Sequence, residues 1–182
     1  QHSGEDEGGS LVEGGVDTNG FCSNFIVSDW QDGSAVTALH KSMNYENAIM
    51  RLTSKSMFRI DLGLDRVQKI LSEFNNPQDK LKCIHVAGTN GKGSICAMLE
   101  SILREAGYKT GLYTSPHIFE YTERIKICGI DISKEDFALL FEEVYDKMTS
   151  LSISLTEFEI LTVIMFLYFE RKSVEYAILE TG

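Results

Sequence analysis

Proline is scarce in this chain, with two in 182 residues, and tryptophan occurs once. That scarcity excludes a collagen-like or proline-rich extended chain. Only four cysteines are present, Cys22, Cys83, Cys96 and Cys128. None forms a CxxC pair, and no Cys/His cluster has zinc-ligand spacing, which excludes a zinc module and a disulfide-stapled scaffold. Free, partly buried thiols in a reducing, cytoplasmic compartment are expected instead. Basic side chains are outnumbered, 17 against 27, and the net charge of −10 argues against nucleic acid as a partner. Long apolar runs are missing too. The longest, Ile160 to Phe169, contains Thr162 and is flanked by Glu159, Glu170, Arg171 and Lys172. A bilayer span needs about 20 apolar residues, so a buried helix is expected there and no membrane partner. The N-terminus is acidic and glycine-rich, unlike a signal peptide.

What is present fits an ordinary globular domain, with hydrophobic residues at 43% and charged residues at 24%. Charge and glycine are unevenly placed. Residues 1–42 hold seven acidic side chains, one basic side chain and seven of the fifteen glycines. This segment is expected to be an acidic, glycine-rich tail, disordered or non-native. Residues 43–182 hold twenty acidic and sixteen basic side chains, and they are expected to form the folded part.

From Asn44 the pattern is regular. Tyr45, Ala48, Ile49 and Leu52 mark one helical face. Leu64, Val67, Ile70, Leu71 and Phe74 mark a second, ended by Asn75-Asn76-Pro77. Strands are expected at 82–87, 109–114 and 175–180, helices at 94–106 and 156–172. Arg124–Cys128 and Ile130–Ile132 read as a short strand pair about Gly129. Ser133 to Asp136 opens another helix, with Phe137, Leu140, Phe141, Val144 and Met148 on one face. Alternating strands and helices imply an α/β fold, a parallel sheet with helices on its faces.

One segment carries the chemistry. Gly88-Thr89-Asn90-Gly91-Lys92-Gly93-Ser94 follows the apolar run Cys83 to Ala87 and opens a helix with Ile95, Met98, Leu99, Ile102, Leu103 and Ala106 apolar. In a strand–glycine loop–helix unit, small residues let backbone N–H groups close around phosphate oxygens, and the helix N-terminus adds partial positive charge. Lys92 then reaches the outer phosphates. The loop is shorter than the GxxxxGK[ST] pattern, and Gly93 intervenes between Lys92 and Ser94. A nucleotide triphosphate is the expected ligand; a purely structural glycine turn is the alternative.

Ligands of open α/β sheets bind at the carboxyl ends of the strands. Those ends are Gly88, Ser115 and Glu180. One hydroxyl and one carboxylate could thus meet the bound phosphates, which suits Mg²⁺ because it takes few protein oxygens and keeps water and phosphate. Alternatively, Ser115 is an ordinary turn serine and Glu180 a terminal charge. His85 is expected to point into the core. His117, in an exposed loop, could touch substrate. Arg124 suits an anion site or a surface ion pair equally. Phe158, Phe166, Tyr168 and Phe169 read as core.

Taken together, the chain resembles the folylpolyglutamate synthase and dihydrofolate synthase family, within the Mur ligase group. The resemblance is carried by His85 to Ser94, Thr114-Ser115-Pro116-His117, Glu123-Arg124-Ile125, Leu155 to Glu159 and Ile178-Leu179-Glu180. Ile60 to Val67 and Asn76-Pro77 fit as well. The resemblance runs from about Met43 to the last residue, and the family's glycine loop has the short form seen here.

The resemblance implies a P-loop-containing domain in which Gly88, Thr89, Asn90, Gly91, Lys92, Gly93 and Ser94 hold ATP, with Lys92 catalytic. It implies Mg²⁺ ligation by Ser115 and Glu180. It implies a pteroate site at Ile60, Asp61, Leu62 and Gly63 and at Thr156, Glu157, Phe158 and Glu159. The partners are then folate or dihydropteroate and L-glutamate, and a monomer is expected. Glu157 stands where some members carry an aromatic residue, which leaves substrate preference open. The family continues past Glu180-Thr181-Gly182 into a GLGGR-like segment, further metal and adenine ligands and a C-terminal domain. Residues 1–182 are therefore expected to be an N-terminal portion, inactive alone. A nucleotide-binding module without ligase activity, or an inert fragment acting through its acidic tail, are the readings from other classes.

Overall fold

Five strands form one sheet in the computed structural model, which describes residues 43–55 and 63–181. The expected tail, and Ile60, Asp61 and Leu62 of the expected pteroate site, lie outside the described residues. The strands are β1 (Lys82–Val86), β2 (Thr110–Tyr113), β3 (Ile125–Ile127), β4 (Ile130–Asp131) and β5 (Tyr176–Glu180), in spatial order β1-β5-β2-β3-β4. β1, β5 and β2 are parallel, in a register that sets Val86 beside Glu180 and Tyr113 beside Leu179. β3 and β4 run antiparallel.

The expectation of a parallel sheet therefore holds for three strands and fails for two. Parallel neighbours need a crossover of a dozen or more residues, usually helical. Between β2 and β3 there is only a loop ending in a 3₁₀ turn, Tyr121–Arg124, so the chain returns antiparallel. Arg124 sits in that turn, not in the strand. β3 and β4 are joined by Cys128 and Gly129, both at positive φ (48° and 78°), as a two-residue hairpin turn requires.

Helices cover both faces. α3 (Lys92–Glu105) packs Cys96, Leu99 and Leu103 on Val86, Leu112 and Ile178. The opposite face meets α5 (Glu157–Arg171), backed by α4 (Lys134–Ser150), α1 (Tyr45–Lys55) and α2 (Asp65–Glu73). α5 is apolar nearly all round because it is enclosed on most sides, as an internal helix must be. Its Phe169 ring lies so close to β2 that a Cβ on Gly111 would stand 2.9 Å from three ring carbons. Only glycine fits there.

Local chemistry explains the helix starts. The Ser133 side chain accepts the Asp136 N–H at 3.0 Å and caps α4. Thr156 and Glu159 form a reciprocal capping box on α5. Among the described residues, no helix is long and apolar enough to cross a membrane.

Three burial expectations are corrected. His85 and Cys83 are exposed, because β1 is the outer strand among the described residues and pairs only with β5. Cys96, by contrast, is wholly buried. Ile95, Met98 and Ile102 are exposed, since the apolar stripe of α3 is wider than the face the sheet covers. Phe158 is half exposed, whereas Tyr168 and Phe169 are core.

Candidate active site

The three parallel strands end at one rim of the sheet. β1 runs into the glycine loop, β2 into Thr114 and Ser115, and β5 ends on Glu180. Glu180 shares a face with Ile178, the face that α3 covers, and its side chain is buried there. The Gly93 Cα faces it so closely that a Cβ would lie 3.6 Å from Oε1. The backbone N–H of Ser115 donates to Glu180 Oε2 at 3.1 Å. Glycine loop, serine and carboxylate thus converge, as the topology leads one to expect.

α3 begins at Lys92, two residues before the expected start, on an N-cap Gly91 in the left-handed conformation (φ 75°). Glycine takes that conformation without steric cost. No side chain caps this helix, unlike α4 and α5. Its first N–H groups are directed at the rim, an arrangement that attracts anions. Lys92 and Gly93 are partly buried, while Gly88, Thr89, Asn90, Gly91 and Ser94 are exposed.

A second cluster, which sequence reasoning missed, surrounds His117. Arg124 donates from Nε to His117 Nδ1 at 2.8 Å, so the neutral ring carries its proton on Nε2. The His117 and Tyr121 rings meet at 4.2 Å, and the Arg124 guanidinium lies over Tyr121. Tyr121 donates to Glu157 Oε1 at 3.0 Å, and Arg124 Nη2 stands 3.9 Å from the same oxygen. Burial first, and then the Glu157 charge, pushes the Tyr121 hydroxyl up to about 12. Burial, then Arg124, lowers His117. Beside this cluster opens a cleft of about 520 Å³, lined by Tyr45, Ile49, His117, Phe119 and Tyr121 among others. Arg124 thus makes an ion pair, with Glu157, in a partly buried setting rather than on the open surface.

The remaining expected residues divide. Gly63 is exposed. Thr156 and Glu159 are engaged by the α5 capping box, and Glu159 also accepts from Arg66 Nη2 at 2.9 Å. Glu157 faces the His117 cluster, and Phe158 presents an exposed ring. Among the described residues no group of three His, Cys, Asp or Glu side chains could hold a metal by itself. The Ser115–Glu180 pair offers hard oxygen donors beside the glycine loop, and such a set fits Mg²⁺ completed by water and phosphate.

This arrangement defines an α/β domain of the glycine-loop class, with its site at the carboxyl rim of a parallel sheet core. No family model matches the chain. It is 39% identical over 143 residues to the dihydrofolate synthase/folylpolyglutamate synthase of Bacillus subtilis, covering 76% of this chain and 33% of that protein. It superposes on the crystal structure of folylpolyglutamate synthase from Thermotoga maritima with a TM-score of 0.71 and 37% identity, over 76% of this chain and 33% of that one. A bifunctional folylpolyglutamate synthase/dihydrofolate synthase with Mn, AMPPNP and L-glutamate bound gives a TM-score of 0.69 at 34% identity, again over 76% and 33%. The chain belongs to the folylpolyglutamate synthase/dihydrofolate synthase family. It spans about a third of the length of these relatives.

Proposed function

We propose that the protein is an ATP-dependent ligase that joins L-glutamate to folates or to dihydropteroate. The observation that carries this reading is the meeting of Glu180, Ser115 and Gly93 at the mouth of the glycine loop, in a chain of this family. A carboxylate is a poor acyl donor. Its oxygen attacks the γ-phosphorus of ATP and ADP leaves; the glutamate amine then attacks the acyl phosphate carbon and phosphate leaves. No protein nucleophile is needed.

The first-turn N–H groups of α3 and the Lys92 ammonium stabilise charge on the transferring phosphoryl group. Ser115 and Glu180 hold Mg²⁺, which supplies charge neutralisation on the phosphates when bound. Glu157, Phe158 and His117 border the acyl substrate. The reaction takes place in the cytoplasm, a reading supported by free thiols at Cys83, Cys96 and Cys128.

The test is ligation by the protein expressed from its complete reading frame, with ATP, Mg²⁺ and L-glutamate. Product with both dihydropteroate and reduced folate monoglutamates is expected. Product with dihydropteroate alone restricts the activity to dihydrofolate synthesis. ATP turnover that never depends on either acyl substrate overturns the ligase reading.

A further inference from the structure

The segment from Ser115 to Glu120 carries Ser115 and His117 to the site, yet it contains no helix or strand of its own. Its order comes from side chains that reach back to it. At its start, the Ser115 N–H donates to Glu180. At its end, one carboxylate gathers three consecutive backbone donors. The Ile118 N–H donates to Glu123 Oε2 at 3.0 Å, and those of Phe119 and Glu120 donate to Oε1 at 2.9 and 2.8 Å. The Ile118 and Phe119 side chains are themselves almost fully exposed. Packing of these two side chains therefore does not hold the end of the stretch; the Glu123 carboxylate does, with the Lys134 ammonium on Glu120 Oε1 at 2.8 Å beside it. Arg124, next in the chain, holds the His117 ring. The 3₁₀ turn Tyr121–Arg124 thus holds the segment at two places, through Glu123 and through Arg124.

We propose that Glu123 is a positioning residue. By gathering the N–H groups of residues 118–120, it sets the course of the segment that presents Ser115 to the nucleotide-bound cation and His117 to the acyl substrate. This rests on the ligase reading above, and it goes beyond that reading by giving a task to a residue that touches neither substrate nor metal. Charge-assisted bonds from consecutive amides are stronger than neutral ones and fix direction as well as distance. Glu123 lies outside the core, so its removal should loosen the segment and leave the sheet intact.

The test compares wild type, Glu123→Ala and Glu123→Gln in the protein expressed from its complete reading frame. Two readouts are used: hydrogen exchange of the amides of Ile118, Phe119 and Glu120, and the Mg²⁺ concentration that half-saturates binding of a non-hydrolysable ATP analogue. For Glu123→Ala the three amides should exchange at least tenfold faster, with β5 and α5 amides unchanged. The Mg²⁺ requirement should rise about fivefold or more, while metal-free binding of the analogue stays within twofold. Glu123→Gln should fall between, because its one amide oxygen can serve Phe119 and Glu120 but its NH₂ opposes the Ile118 N–H. Wild-type exchange and an unchanged Mg²⁺ requirement in Glu123→Ala overturn the proposal. If that variant does not fold, the same two readouts on Glu123→Gln decide. Wild-type protein that binds no nucleotide sinks the ligase reading; wild type that binds while both variants match it sinks only this one.

Discussion

The backbone N–H of Ser115 donates to Glu180 Oε2 at 3.1 Å, joining two strand ends 65 residues apart in sequence. Glu180 is thus a scaffold acceptor and also a carboxylate set against Gly93 of the glycine loop. The two tasks are separable. Glu180→Ala leaves the Ser115 N–H without its acceptor and should cost about 1–3 kcal/mol. Glu180→Gln keeps an acceptor and should hold the melting temperature, yet lose the part of nucleotide stabilisation that depends on Mg²⁺. Calorimetry with and without Mg²⁺ and nucleotide checks this; equal behaviour of the two variants would contradict it.

Lys92 stands in the first turn of α3 and has no packing duty in the core. ATP at a hundred times its dissociation constant should stabilise wild type by about 2.7 kcal/mol. Lys92→Ala should leave the unliganded melting temperature unchanged and abolish most of that gain, as thermal scans over a nucleotide series would record.

Gly111→Ala tests the close approach of Phe169 to β2. The methyl group has to displace a fully buried ring, and overpacking of this kind costs about 1–3 kcal/mol. Urea unfolding should show a lower midpoint with an unchanged slope.

Glu123 also predicts an acid sensitivity. The N–H of Ile118, and then those of Glu120 and Phe119, hold its carboxyl below the ordinary value. A depressed folded value means that the unfolded chain binds the proton more readily. The stabilisation is therefore fully present above the ordinary carboxyl value of about 4.3, and it is lost as pH falls through the lower folded value. The melting difference between wild type and Glu123→Gln should shrink across that window and stay constant from pH 6 to 8.

Thiol reactivity should follow position in the fold. Cys83 is exposed on β1, while Cys96 is wholly buried between α3 and the sheet. Burial first, then the nearby Glu180 charge, raises the Cys96 thiol. In a Cys22→Ser background, an aromatic disulfide reagent should modify Cys83 first and reach Cys96 only on unfolding. Rapid labelling of Cys96 in the native protein would contradict this packing.

Much of the architecture was legible in the residues themselves. Apolar spacing placed α1, α2, α4 and α5, and the glycine loop between a strand and a helix located the rim where Glu180 and Ser115 meet. What stayed hidden depends on contacts distant in sequence. Nothing near His85 reveals that β1 is an outer strand, because burial there depends on which strands flank it. The pattern of α3 shows apolar residues without showing which of them the sheet covers. Glu100 is buried on α3, where it accepts from Thr110 Oγ1 at 2.7 Å, and an apolar pattern gives no sign of a buried carboxylate. Glu123 was noticed only as part of a motif, since its three partners are backbone groups that no side-chain pattern betrays.

α3 is a rod about 21 Å long at 1.5 Å per residue, and both of its ends are committed. One carries the glycine loop. Near the other, Arg104 donates from Nη1 to the carbonyl of Cys128 at 3.2 Å, at the turn of the β3–β4 hairpin. A Cβ on Gly129 would collide with that guanidinium nitrogen. Arg104 therefore ties the hairpin tip to the helix that carries the glycine loop, and a side chain at Gly129 has first to push aside that guanidinium, the far end of a flexible side chain.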